Sequence, residues 1–212
     1  MKKIDMFLAN KEFADRVAKY VDLKVLRAEY AEDYRVQVSA TKKLIENTEK
    51  TLRGSLFADS IESRLAQYES DLESFEVAYK DKLDKMDKFE LTEEEKALRK
   101  ALRPLSCDDT AKIKKALCDF FENYGLDIKG TDLEKSLLNA LGGKVDMRKF
   151  VKSEGTDGVS LASGTALNLI FWVTFNYMVS AGTIKAANIP DCLKSKYIKD
   201  GKVDKTVANA QK

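Results

Sequence analysis

Between residues 61 and 79 bulky side chains recur at Ile61, Leu65, Tyr68, Leu72, Phe75 and Tyr79, in steps of four, three, four, three and four. Steps averaging 3.5 residues hold one apolar stripe on the same side of an α-helix through several turns, and only a neighbouring helix buries such a stripe well. The preceding segment carries a stripe of its own. From Asn10, a candidate N-cap, it runs through Phe13, Val17, Tyr20, Leu23, Leu26 and Tyr30, then with heptad alternation through Tyr34, Val38, Thr41, Ile45, Thr48 and Leu52. Arg53-Gly54-Ser55 separates the two stripes, and Gly54 is suited to the left-handed residue that follows a helix. Asp59 with Glu62 reads as a capping box for the second helix.

Consecutive helices on so short a link pack antiparallel. Residues 10–53 and 59–102 would form arms of roughly 65 Å each if unbroken. Thr92 with Glu95 is a further capping box, however, and predicts a break after Phe89. Lys82 falls on a seam position of the second arm and marks a local fault before Met86 and Phe89. Acids precede bases by four residues at Glu12/Arg16, Asp15/Lys19, Glu46/Lys50, Glu76/Lys80, Asp81/Lys85 and Asp84/Lys88. Each such pair adds only about 0.2–0.5 kcal/mol to a helix, so the pairs support helicity without deciding the fold.

Composition then excludes several chemistries. The chain has 212 residues, 44% apolar and 34% charged, which fits solvated helices around a core better than disorder. Thirty-seven basic against thirty-five acidic residues argue against both an acidic nucleic-acid mimic and a histone-like protein. The absence of histidine removes Ser–His–Asp and Cys–His catalysis and histidine metal sites. Two prolines and ten glycines leave little room for a turn-rich β protein. Three cysteines make an odd number, and the apolar run Met6–Ala9 is too short for a secretory signal, so the expected setting is reducing, intracellular and cytoplasmic. Cys107, Cys118 and Cys192 are expected to be ordinary buried or half-buried thiols, with no disulfide, metal or cofactor.

The second half predicts a small helical module. Arg103-Pro104 ends a helix over 93–102. Ser106 with Asp109 precedes Ile113, Leu117, Phe120 and Tyr124, closed by Gly125. Thr131 with Glu134 precedes Leu133, Leu137, Leu138 and Leu141, closed by Gly142-Gly143. Residues 144–158 read as a loop with one helical turn near Met147–Val151. No charge occurs between Asp157 and Lys185, and residues 165–179 are apolar on most of their circumference. Ser160, Ser163, Thr165, Asn168, Thr174, Asn176 and Ser180 interrupt the uncharged stretch, which favours a central core helix over a membrane span.

Candidate site residues are few. Glu93-Glu94-Glu95 and Asp108-Asp109 fall in first helical turns, where the macrodipole favours acids, and need no catalytic explanation. Gly125–Thr131 lacks the lysine of a Walker A loop, and Ser39/Lys42 is chance spacing. Asn168, Trp172 and Asn176 fall at i, i+4 and i+8 and line one helix face, either as buried register-setting amides or as a contact strip. The tail from Lys185 onward holds seven lysines, among them Lys185, Lys194, Lys196, Lys199 and Lys202, and its last dozen residues look weakly structured.

The sequence thus predicts an all-α chain. A long antiparallel, coiled-coil-like hairpin (1–91) precedes a compact helical module with a central apolar helix (92–185) and a weakly basic tail (186–212). The expected role is non-enzymatic: interaction or assembly, as a binding inhibitor or structural subunit, with a protein partner or further copies of the chain. Leu65, Tyr68, Leu72, Phe75, Tyr79, Asn168, Trp172 and Asn176 are the candidate contacts. The alternative is a nucleic-acid accessory role for Lys185, Lys194, Lys196, Lys199 and Lys202. A membrane role is disfavoured, and a viral or mobile-element origin suits so motif-poor a helical chain.

Overall fold

Asn10 opens the first helix as its sequence position suggests, its Oδ1 accepting the Phe13 N–H at 2.9 Å while its amide donates to the Tyr124 carbonyl. The computed structural model describes residues 10–52, 58–142 and 163–209. Within them the chain is all-α: α1 Lys11–Leu52, α2 Ala58–Lys85, α3 Glu93–Leu102, α4 Thr110–Asn123, α5 Asp132–Leu141, α6 Ser163–Ala181, α7 Asp191–Tyr197 and α8 Lys205–Asn209. Two two-residue strands, Ile198–Lys199 and Lys202–Val203, pair antiparallel between α7 and α8. The chain divides into two compact units: residues Met1–Val25 with Phe89–Lys212, and residues Leu26–Lys88.

The first unit is built around α6. Leu169, Ile170, Phe171, Phe175 and Val179 have no exposure, and Trp172 and Met178 almost none, so the helix is enclosed on nearly every side. An uncharged circumference is what that position requires, because each buried charge would need a partner. Among the described residues no helix is long and apolar enough to cross a membrane. The opening turns of α1 belong to the same core: Phe13, Val17 and Val21 have no exposure, and the Phe13 ring meets Phe121 and Tyr124 at 5.5 and 4.7 Å. Each large apolar side chain removed from water in this way contributes about 1.5–3 kcal/mol before entropy is counted. Packing therefore takes α1 up to Val25 into the unit that holds α3–α8, across the sequence boundary at 91.

Local signals set the helix ends, with two exceptions. Thr92 and Glu95 form the full reciprocal capping box at the start of α3, and the chain is non-helical from Met86 to Thr92. Thr131 accepts from the Glu134 N–H, and Gly125 takes φ +70° just after α4. Ser106, expected with Asp109 to cap α4, lies ahead of the helix; Asp109 takes the N-cap position without a side-chain cap bond and turns its carboxylate back to the Ser106 N–H at 3.0 Å. Asp59 lies inside the first turn of α2 rather than ahead of it. The stop at Gly54 and the loop at 144–158 lie outside the described residues.

Within the last dozen residues, where weak structure is expected, Lys205–Asn209 form the short helix α8, and the segment ahead of it is anchored in the core. Ile189, Leu193 and Tyr197 are buried, and an Asp200-Gly201 turn with both residues at positive φ joins the two short strands. Three apolar anchors within nine residues dock the tail despite its lysines.

The second unit consists of the remainder of α1 and all of α2. Tyr34 stacks on Tyr79 with ring centroids 4.8 Å apart and planes 12° from parallel. The Lys82 ammonium lies 5.1 Å from the Tyr30 ring centre, which accounts for a lysine on the seam. Residues 30 and 34 thus meet 82 and 79, the order of antiparallel helices. The seam does not extend to Phe89. That ring lies in the first unit, 5.0 Å from Tyr20 and 6.3 Å from Phe171, because the helix has ended at Lys85.

Candidate interaction surface

Along the second unit the seam is only partly covered. Tyr34, Val38, Ile45 and Thr48 on α1, and Ile61, Leu65, Tyr68, Leu72, Phe75 and Tyr79 on α2, are all half-buried, and Thr41 is buried. Two helices cannot surround side chains as wide as Tyr68, Phe75 and Tyr79, so each ring keeps an edge in water. Further out, Val36, Leu44 and Val77 are 54%, 47% and 66% exposed. Exposed ion pairs decorate the remaining surface, with Glu76–Lys80 at 2.8 Å and Asp81–Lys85 at 2.7 Å. Lys80 holds the Glu76 carboxyl below its usual range through a hydrogen bond and charge.

The second candidate strip is placed differently. Trp172 and Asn176 are buried, so neither offers a contact face in this conformation, which corrects that part of the expectation. The Asn176 amide donates to the Trp172 carbonyl at 3.0 Å, and its Oδ1 accepts from the Tyr197 hydroxyl at 3.0 Å. It joins α6 to α7. Asn168 is half-buried; its Oδ1, the Trp172 Nε1 and the Thr174 Oγ1 have no hydrogen-bond partner among the described residues.

The lysines do not form one patch of equivalent charges. Lys194 pairs with Asp191, and burial lowers the pKa of Lys196, whose ammonium lies 5.5 Å from the Tyr197 ring centre. Lys185 is exposed before a short 3-10 turn. Lys199 and Lys202 are exposed and stand directly opposite each other across the two strands, a like-charge placement that disfavours the pairing.

Two buried carboxylates escape the sequence reading. Glu95 has no exposure and receives two donors from Arg16, with the Thr92 N–H at 3.0 Å completing its partners. Glu134 accepts from the Gly130 N–H at 3.0 Å, faces the Lys114 ammonium at 3.1 Å and receives the Cys118 thiol at 3.7 Å. Burial pushes the Glu134 pKa up, but the Gly130 hydrogen bond and Lys114 outweigh it, and the net shift is downward. Burial and the neighbouring Glu134 charge push the Cys118 thiol up, so it is protonated and a poor nucleophile. Both carboxylates follow capping threonines, a local signal that predicts helix starts and says nothing of a distant Arg16 or Lys114. Among the described residues no three acids or cysteines gather to hold a metal. Comparison with protein-family models, curated proteins and solved structures finds no match to this chain.

Proposed function

We propose that this protein acts by binding rather than by catalysis, as an interaction or assembly protein whose contact element is the helical hairpin of residues 26–88. The observation that carries this is the half-buried seam. Ten of the aromatic, aliphatic and threonine side chains that line it are half-buried, and the two helices leave each of these partly in water. Helices in water draw most of their stability from packing an apolar face, and exposed apolar surface at this density is typical of contact sites. The hairpin belongs to a chain that lacks histidine, so general acid–base chemistry near neutral pH would need a strongly shifted carboxylate, lysine or thiol. The acidic side chain Glu134 and the thiol Cys118 are shifted away from such use.

Replacing Leu72 and Phe75 together by glutamate tests the proposal. Light scattering on the full chain should show assembly lost while the unfolding of the first unit, followed through Trp172, is unchanged. Unaltered assembly in that variant counts against the hairpin as the contact element.

A nucleic-acid role for the tail draws support from Lys199 opposite Lys202, since an anion between two such lysines would relieve their repulsion. It predicts binding to a DNA or RNA oligonucleotide that weakens steeply with salt and is lost in Lys199→Ala/Lys202→Ala.

A further inference from the structure

The two flanks of the hairpin seam differ in charge. With the seam residues taken as heptad positions a and d, the e row carries Arg35, Lys42 and Glu49 on α1 and Glu62, Glu69 and Glu76 on α2. The g row carries Tyr30, Gln37, Leu44 and Thr51 on α1, and Arg64, Asp71, Ala78 and Lys85 on α2. Antiparallel helices bring e rows together on one side and g rows on the other. The e side sets Arg35 and Lys42 near Glu76 and Glu69, a charged rim suited to water. On the g side the α1 row has no charge over four consecutive positions, in a chain where 34% of residues are charged. Leu44, in its middle, is 47% exposed.

Two opposite charges, Arg64 and Asp71, stand on the α2 half of that side. Arg64 is exposed and makes no ion pair among the described residues. The half-buried Asp71 accepts from Gln67 at 2.9 Å and meets no cation there either. Seven residues separate them, about 10.5 Å along the helix, too far to pair within α2. A second copy of the same surface, turned end for end, lays Arg64 on the copy's Asp71 and Asp71 on the copy's Arg64. Counting from the Tyr34–Tyr79 stack, the midpoint between Arg64 and Asp71 lies level with residues 45 and 46 of α1, beside Leu44. One two-fold axis therefore satisfies both charges and brings the two Leu44 side chains together. Such reciprocity is the mark of an isologous contact.

Resting on the reading of residues 26–88 as the contact element, we propose that the partner is a second copy of this chain, docked antiparallel through the Leu44, Arg64 and Asp71 side so that two hairpins close a four-helix bundle. A four-helix arrangement would also cover the seam rings that two helices leave half-exposed.

Sedimentation velocity on the full chain, at concentrations spanning on the order of 1–100 µM, tests the proposal. The wild type should dimerise. Arg64→Glu and Asp71→Arg should each weaken the dimer roughly tenfold or more by placing like charges together twice, and the double variant Arg64→Glu/Asp71→Arg should return it toward wild type. Leu44→Glu should give monomer. All of these side chains reach solvent, so far-ultraviolet circular dichroism should show unchanged helicity in every variant. A wild type that stays monomeric throughout the range overturns the proposal. So does a dimer insensitive to Arg64→Glu and Leu44→Glu. If that insensitive dimer is lost in Leu72→Glu/Phe75→Glu, the hairpin is the contact element through another side; if it survives that variant too, the hairpin reading falls with it.

Discussion

Arg16 and Glu95, 79 residues apart, meet in a two-point ion pair whose carboxylate has no exposure. The guanidinium also donates to the Glu90 carbonyl and lies 4.3 Å from the Phe89 ring centre. Glu95 meanwhile closes the capping box of α3 through the Thr92 N–H. One side chain on α1 thus holds the start of α3 and the segment before it.

The two halves of that pair should not be equivalent. Arg16→Met leaves a fully buried carboxylate without its cation, and removing one partner of a buried pair costs about 3–5 kcal/mol. Glu95→Gln leaves an arginine whose side chain is 23% exposed and can turn to water, so it should cost less. Urea unfolding followed through Trp172 measures both; equal losses, or a larger loss for Glu95→Gln, would refute the asymmetry.

Tyr197 should anchor the C-terminal segment through a single hydrogen bond. Tyr197→Phe leaves the Asn176 Oδ1 buried without its donor, a loss of about 1–3 kcal/mol. Hydrogen exchange should quicken at the amides of α7 and α8 more than at those of α4. Uniform protection across the first unit in that variant would show that apolar packing alone holds the segment.

Stability should fall at both ends of the pH scale, for opposite reasons. The Glu134 pKa is lower folded than unfolded, so its contribution is present above the ordinary glutamate range and is lost as pH falls through the folded value. Burial raises the phenols of Tyr20 and Tyr124, so their contribution is present below the ordinary tyrosine value of about 10 and is lost as pH rises above it. Melting temperature against pH should bend downward on both limbs, with Glu134→Gln flattening the acid limb alone. Phenolate absorbance should place the Tyr20 titration beyond that of free tyrosine.

The three thiols should react in two classes. Cys118 is buried, protonated and bonded to Glu134, whereas Cys107 and Cys192 are half-buried. Alkylation of the native chain near neutral pH, read by peptide mass, should reach Cys118 last and at the rate of global unfolding. Modification of Cys118 as fast as Cys107 would contradict its enclosure.

Helix positions were legible because their signals are local. Thr92, Thr131, Asn10 and Gly125 each act within four residues, and the structure uses all four. The uncharged stretch likewise announced a core helix through its composition. What could not be read was partnership at a distance. Glu95 looked like one more acid in an acidic first turn, and nothing near it points to Arg16. Phe89 continued the spacing of the seam, yet the helix ended four residues earlier and the ring joined Tyr20 and Phe171. Of the polar strip on α6, spacing put Asn168, Trp172 and Asn176 on one face, but only the position of Tyr197 made the last a buried acceptor.

The 42-residue α1 supplies both compact units, and that sharing imposes an order on how the chain acquires its structure. Contacts within residues 26–88, such as Tyr34 with Tyr79, close shorter loops than Phe13 with Phe121 and can form as soon as α2 leaves the ribosome. Phe13 must wait for Phe120 and Phe121, and Asp22 for Cys192, whose thiol reaches its Oδ1 at 2.9 Å. Nascent α1 therefore receives its support from α2 first, and helix already formed beyond Leu26 can propagate backward without a second costly nucleus. The core around Phe13 is then completed after the α1–α2 contacts, so a truncated chain ending before α6 would carry those contacts without a finished first unit.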